Sequence, residues 1–399
     1  MPSYKNSDTR LPVMQGSPPS LIPPKMDWDR PPWNRWTFQN VRQILPTAEV
    51  WRGSGPVRVL PTRERNLDGL AVTGVAGEAT TLAGILDDTY TDGFLVIKDG
   101  AIVAERYFNG MTERTLHLSQ SVAKSFTAGV AGILAARGVI DVTRMVMDYL
   151  PELSDTAYRG ASLQQVLDMT SGVNFSEDYS DPYSDVGQMD VAAGWKPIPP
   201  DSRAGFRWPH HVFELILGLG QLNRRHGDLF AYRSIETDVM ALCLERATGK
   251  RLPQLLSEEI WQVAGMEESA SMTVDAAGYA LASGGLNACL RDYGRFGLAY
   301  LEGKIIPLGW VEATRNGNHA IFGEPYTYTL PEGAYKNQWW IEDPRSRALY
   351  ARGVFGQMIY VNWDYNMVAV KLSSWPDFLN PAFNAATHAA LHKIAAALA

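Results

Sequence analysis

The stretch from Ser121 to Arg137, SVAKSFTAGVAGILAAR, is mostly Ala, Val, Ile, Leu and Phe and stops at Gly138. Its length and composition predict a buried helix with a glycine C-cap, and such a helix needs neighbours on nearly every side. Those neighbours are of two kinds. Upstream, TDGFLVIKDGAIVAERYF (91–108) alternates apolar and polar positions on both sides of Lys98-Asp99-Gly100, the signature of a β-hairpin with an Asp-Gly turn. Downstream to about residue 270, SLQQVLDMTSG, HHVFELILGLGQL, IETDVMALCLERATGK and LPQLLSEEIWQVAG place apolar residues at i, i+3 and i+4. Beyond 330 the pattern returns to three short strands with a turn at Asn362-Trp363-Asp364-Tyr365-Asn366, and NAATHAALHKIAAALA closes as a helix.

The expected organisation is α+β, with the Ser121 helix at the junction of a sheet and a helical insertion. Residues 1–50, rich in Pro, Ser and Trp, read as an extended arm; 51–120 and 272–399 supply the sheet domain; 121–271 form the mainly helical domain. A hydrophobic content of 46% lets 399 residues bury one large core or two joined ones. With 36 Lys and Arg against 43 Asp and Glu, a net charge of −7, neither a nucleic-acid footprint nor a basic membrane patch is expected. No apolar run reaches membrane-span length and the N-terminus lacks the apolar core of an export signal, so cytoplasmic residence is the default. Cys243 and Cys289 stand far apart, outside disulfide or zinc spacing, and read as core thiols.

A serine hydroxyl becomes a useful nucleophile when a base within about 3 Å takes its proton. Residues three apart share a helix face, so Ser121 and Lys124 can meet that requirement locally. Lysine is a base only when neutral, and the flanking Val122, Ala123 and Phe126 offer the burial that lowers its pKa. The helix N-terminus adds N–H groups that favour an oxyanion. A plain N-cap serine beside an exposed lysine is the competing reading, although only Lys124 of the ten lysines has Ser three positions before it. No Gly-x-Ser-x-Gly elbow competes for the nucleophile. Tyr232 and Ser234 form a Y-x-S before another helix; beside a cationic lysine the phenol's pKa would fall and a phenolate could carry the serine proton, whereas an ordinary core tyrosine would do neither. ALYARGVFGQ (348–357) is a glycine-flanked strand with backbone N–H groups suited to an oxyanion hole, or simply a closely packed strand.

In that order, S-x-x-K, Y-x-S and a glycine-bearing strand resemble the serine β-lactamase and penicillin-binding protein superfamily. Within it the chain resembles the 6-aminohexanoate-dimer (nylon-oligomer) hydrolases and their carboxylesterase relatives, through PPWNRWTF, TYTDGFLV, LSQSVAKS, YLPEL, LQQVLDM, EDYSDP, AAGW, ETDVMA, ASGGLNACLRD, NQWW and VKLSSWPD, from about residue 31 to 377. The resemblance implies a β-lactamase/transpeptidase-like fold, an antiparallel sheet flanked by helices plus the helical domain. It further implies acylation of Ser121, Lys124 as its proton partner, Tyr232 as general acid/base, and an oxyanion hole from the backbone N–H groups of Ser121 and Val354. Tyr179 would contact the leaving amine and Asp190 would hold a substrate ammonium. Three positions depart from relatives: Ala351-Arg352-Gly353 stands where penicillin-recognising members carry Lys-Thr-Gly, Ser234 where β-lactamases prefer Asn, and Ser283 at a pocket position where His or Asn occurs.

Independently of the resemblance, 177–190 carries Glu177, Asp178, Asp181, Asp185 and Asp190 with no base, a field that attracts amines if the segment lines the cleft and a solvated loop otherwise. Trp339 and Trp340 are candidate cleft walls, or one core face and one exposed face of a strand. His388 and His392 share a helix face without a third ligand, so no metal is expected, and His210-His211 sit in a loop. The expectation is a serine hydrolase of small amides or esters without cofactor, a homodimer being left open. A β-lactamase or D-alanyl-D-alanine carboxypeptidase is the alternative within the fold, and a non-catalytic binding protein the alternative outside it.

Overall fold

In the computed structural model, which describes residues 2–399, seven strands form one antiparallel sheet. Its order is Ala101–Tyr107, Thr91–Lys98, Met367–Ser373, Gln357–Asn362, Ala348–Gly353, Trp339–Ile341 and Ala334–Lys336. The hairpin turns at Asp99 and Gly100, with φ of 50° and 73°, the left-handed pair that matches strand twist. Its first strand then pairs with the last of the chain, Val370 opposite Leu95. The three strands expected beyond 330 are five: Phe355 and Gly356, at φ 60° and 88°, reverse the chain within GVFGQ, which reads as continuous strand.

The hairpin shows less polar alternation than expected, because both faces of the sheet are covered. Every residue of Met367–Ser373, and all of Thr91–Lys98 but Lys98, is buried. Leu95, Ile97, Val368 and Val370 face the main core and the helix Leu290–Glu302; Phe94, Val96, Met367 and Ala369 face the C-terminal helix Pro381–Ala397. Glycine lets the first of these helices close on the sheet. A Cβ on Gly297 would lie 2.4 Å from Val368 Cγ1, and one on Gly294 2.6 Å from Leu95 Cδ2.

The Ser121 segment begins as a 3₁₀ turn, Gln120–Val122, and continues as the helix Ala123–Ala136, buried from Ala123 through Leu134 and followed by Gly138 at φ 69°. It packs against Ile235–Thr248 and Leu252–Leu256, while Phe126 stacks on Phe296 of the sheet-covering helix with ring centroids 3.5 Å apart. A second sheet orders Thr47–Val50, Ala270–Thr273, Leu286–Ala288 and His117–Leu118, drawing strands from both sides of the boundaries at 50, 120 and 271. The N-terminal arm is pinned by its aromatics and polar groups: Trp28 Nε1 donates to the Trp195 carbonyl at 2.7 Å, and Arg35 pairs with Asp92 at 2.7 Å. Cys243 and Cys289 are buried free thiols. Among the described residues no helix is long and apolar enough to cross a membrane.

Candidate active site

Ser121 is presented by a sharp turn. His117–Leu118 leads into Ser119, whose N–H donates to the Leu286 carbonyl at 2.8 Å, and Gln120 then adopts φ 48°. A non-glycine residue in the left-handed region costs about 1–3 kcal/mol, held in place by the surrounding contacts. The end of the Ala348–Gly353 strand abuts this turn: a Cβ on Gly353 would lie 2.7 Å from the Ser119 carbonyl oxygen. Val354 follows, and Phe355 after it is again left-handed. The two backbone segments expected to supply the oxyanion hole thus meet in one wall, each next to a strained residue.

Lys124 donates from Nζ to Ser121 Oγ at 2.8 Å and to the Ser283 carbonyl at 2.7 Å. Its side chain is 1% exposed, and burial lowers its pKa to about 8 against the opposing pull of Glu177 and Asp238. A lysine so placed is partly neutral near neutral pH. Asp238 is buried beneath, accepting the Ala282 N–H at 2.8 Å and so fixing the turn that bears Ser283. Tyr232 lies with its ring centroid 5.1 Å from Lys124 Nζ, stacked on Trp340 at 5.4 Å and anchored by its N–H to Tyr326 Oη at 2.8 Å. Its pKa is raised by burial and then by Glu177, with the Ser121 hydroxyl opposing. The lowered, phenolate-prone tyrosine expected from the neighbouring lysine is therefore corrected. Desolvation and the Glu177 carboxylate outweigh the Ser121 hydroxyl and the Arg352 guanidinium, and Tyr232 rests as a phenol.

A cavity of about 310 Å³ opens onto Ser121 and is walled by Tyr232, Tyr179, Trp340 and Val354 among others. Tyr179 is braced on Phe378, with ring centroids 5.4 Å apart. The remaining expected contacts lie elsewhere. Trp339 is fully buried against Tyr300 and Phe296, as strand alternation requires once Trp340 faces the cavity. Ser283 is buried behind Lys124 and Ser234 behind Glu177, whose carboxylate accepts the Ser234 N–H. Asp190 lies outside the cavity wall, 3.8 Å from Lys196 Nζ, which also contacts Asp29 at 3.2 Å. Burial raises its pKa to about 7, Lys196 opposing. Glu177 and Arg352 do line the cavity, although neither was singled out as a contact from the sequence. The base-free run 177–190 was the signal for Glu177; nothing pointed to Asp238, which faces the site only through the fold. Among the described residues no group of three or more His, Cys, Asp and Glu side chains is placed to hold a metal. His388 instead stacks on Tyr350, and His392 Nε2 bonds Glu342 at 2.9 Å.

Residues 79–393 match the family model described as Beta-lactamase. The chain belongs to that family. This beta-lactamase family member is a serine hydrolase, and its relatives narrow the branch. A 6-aminohexanoate-dimer hydrolase of Paenarthrobacter ureafaciens is 36% identical over 365 residues, 89% of each chain. A provisional 6-aminohexanoate-dimer hydrolase from Bacillus anthracis superposes with a TM-score of 0.85 at 30% identity, over 94% of this chain and 97% of that one. EstCE1, a hydrolase with promiscuous acyltransferase activity, superposes with a TM-score of 0.61 over 78% of this chain and 98% of its own; at 14% identity that likeness speaks for the fold alone.

Proposed function

We propose that this beta-lactamase family hydrolase is an amidase of the 6-aminohexanoate-dimer hydrolase type with carboxylesterase activity, acting through an acyl-enzyme on Ser121. The observation that carries the reading is the 2.8 Å contact between Lys124 Nζ and Ser121 Oγ in a cavity shared with Tyr232. Neutral Lys124 takes the Ser121 proton as Oγ bonds to the carbonyl carbon. The oxyanion is held by the N–H groups of Ser121 and Val354. Tyr232 then gives its phenol proton to the departing nitrogen or oxygen and is reprotonated by Lys124, so the amine or alcohol leaves neutral and the acyl group stays on Ser121. Water reverses these transfers and frees the acid. A resting phenol suits the donor role, which is why we assign the first proton to Lys124 and the second to Tyr232.

Tyr179 contacts the leaving amine in this proposal. Asp190 keeps its assignment to the ammonium only through the resemblance, since Lys196 already stands beside it; Glu177, in the wall itself, shares that field. Residues 121–271 enter this proposal as a mainly helical domain that begins with the nucleophile helix. The proposal extends to cytoplasmic residence, which the two unpaired, buried thiols support. Its test is hydrolysis of the 6-aminohexanoate linear dimer and of a short-chain p-nitrophenyl ester by wild type and Ser121→Ala. We expect the variant to lose ~10⁶-fold in turnover on both, as nucleophile removal does in serine proteases. Near wild-type turnover in Ser121→Ala refutes the acyl-enzyme, and ester cleavage without dimer cleavage refutes the amidase assignment.

A further inference from the structure

Two charged side chains share the cavity wall with Ser121, and among the described residues neither has an ion-pair partner within 4.0 Å. Arg352 is partly buried, with its guanidinium carbon 5.4 Å from the Trp340 ring centroid. Among the described residues no carboxylate oxygen comes within 4.0 Å of its nitrogens, and its side chain makes no hydrogen bond. Glu342 acts on it electrostatically but is already engaged, by Tyr350 Oη at 3.1 Å and His392 Nε2 at 2.9 Å. Glu177 has one oxygen on the Ser234 N–H and the other without a hydrogen-bond partner. No ion pair joins Arg352 to Glu177. Charges taken partly out of water destabilise the fold unless something pairs them, and such charges in the wall of a cavity mark where a ligand does so.

We propose that Arg352 is the anion subsite of this cavity, binding a carboxylate that the substrate carries apart from its scissile bond. The inference rests on this cavity being the substrate site and adds the class: amides or esters with a terminal carboxylate, and zwitterions where Glu177 meets an amine. A guanidinium suits the task. It lies over the Trp340 ring, and with no protein acceptor on its nitrogens its donor edges are free for a two-point contact to a carboxylate. The strand also explains how a cation reaches the site without the lysine of Lys-Thr-Gly. Successive side chains alternate, so Ala351 turns into the main core while Arg352 lies on the opposite face with Trp340. Moving the positive charge one residue along the strand brings it in from the other side.

The test is inhibition of p-nitrophenyl acetate hydrolysis by hexanoate, with 1-hexanol as the uncharged control, in wild type, Arg352→Gln and Arg352→Lys. We expect the hexanoate Ki to rise about 10- to 100-fold in Arg352→Gln, the loss expected of a charge-assisted hydrogen bond, and to fall between the two in Arg352→Lys. The hexanol Ki should be the same in all three. Where a variant lacks ester turnover, the same comparison is made by calorimetric titration of hexanoate into Ser121→Ala with and without Arg352→Gln. Equal hexanoate affinity with and without the arginine, or none in wild type, overturns the subsite. Neither measurement involves an amide, so a failure of the amidase assignment leaves this result readable.

Discussion

The position of the acid limb in the pH–rate profile tests how the site makes a base of Lys124. Its pKa falls from 10.5 to about 8 because burial outweighs Glu177 and Asp238. At about 1.4 kcal/mol per tenfold change in protonation, the buried site disfavours the ammonium by roughly 3 kcal/mol. At pH 7 roughly one molecule in ten then has a neutral Lys124, against about one in 3000 for an ordinary lysine. If Lys124 takes the serine proton, kcat/KM for a neutral ester rises about tenfold per pH unit and levels near the pKa of about 8. Glu177→Gln removes the larger of the two influences that hold the proton on, so the limb should move to lower pH. The assay is kcat/KM for p-nitrophenyl acetate between about pH 5.5 and 10, read as the midpoint of the limb, because the height also responds to changes in binding. A limb that stays in place or moves upward in Glu177→Gln refutes the electrostatic account. A flat wild-type profile removes Lys124 as the base.

Other perturbations separate chemistry from architecture. Tyr232→Phe should lose ~10²–10⁴ in turnover on the amide and much less on a p-nitrophenyl ester, whose leaving group departs without a proton; equal losses on both contradict the donor role. Gly297→Ala, whose Cβ would sit 2.4 Å from Val368 Cγ1, should lower the thermal midpoint by overpacking worth about 1–3 kcal/mol, whereas Gly309→Ala, with nothing within 4 Å, should not lower it. Lys371 is buried, bonded to Ser373 Oγ, and lowered to about 7 by burial. The unfolded chain therefore binds more protons between about pH 7 and the ordinary lysine value of 10.5, and native stability should rise with pH across that window. Lys371→Met should flatten that dependence in denaturant titrations; an unchanged slope refutes the assignment to Lys371.

Local patterns in the sequence already carried the nucleophile and its partner. Ser121 and Lys124 are three residues apart at a helix start, so short-range geometry alone brings the two side chains together. The hairpin at Asp99-Gly100, the glycine that ends the buried helix and the alternation that sends only one of Trp339 and Trp340 to the cavity are equally local. The Y-x-S before a helix already offered Tyr232, the wider resemblance added Tyr179 and Val354, and all three line the cavity with Ser121. Polar alternation misled only where both faces of the sheet are covered, which the hairpin cannot reveal by itself.

Long-range placement decided the rest. Asp238, remote in sequence from Ser121, acts on Lys124 only because two helices pack together. Tyr232 stays a phenol because burial and Glu177 outweigh the Ser121 hydroxyl and Arg352, a balance of desolvation against charge that exists only once these distant segments meet. Arg352 and Glu177 enter the same wall from segments 175 residues apart, and Asp190, in the same acidic run as Glu177, falls outside it beside Lys196. The sequence by itself determined which side chains can react, since nucleophile and base are chemical identities at one helical spacing. Only the tertiary structure decided their protonation states and which charges face the substrate, because desolvation and Coulomb interactions depend on distances through space rather than along the chain.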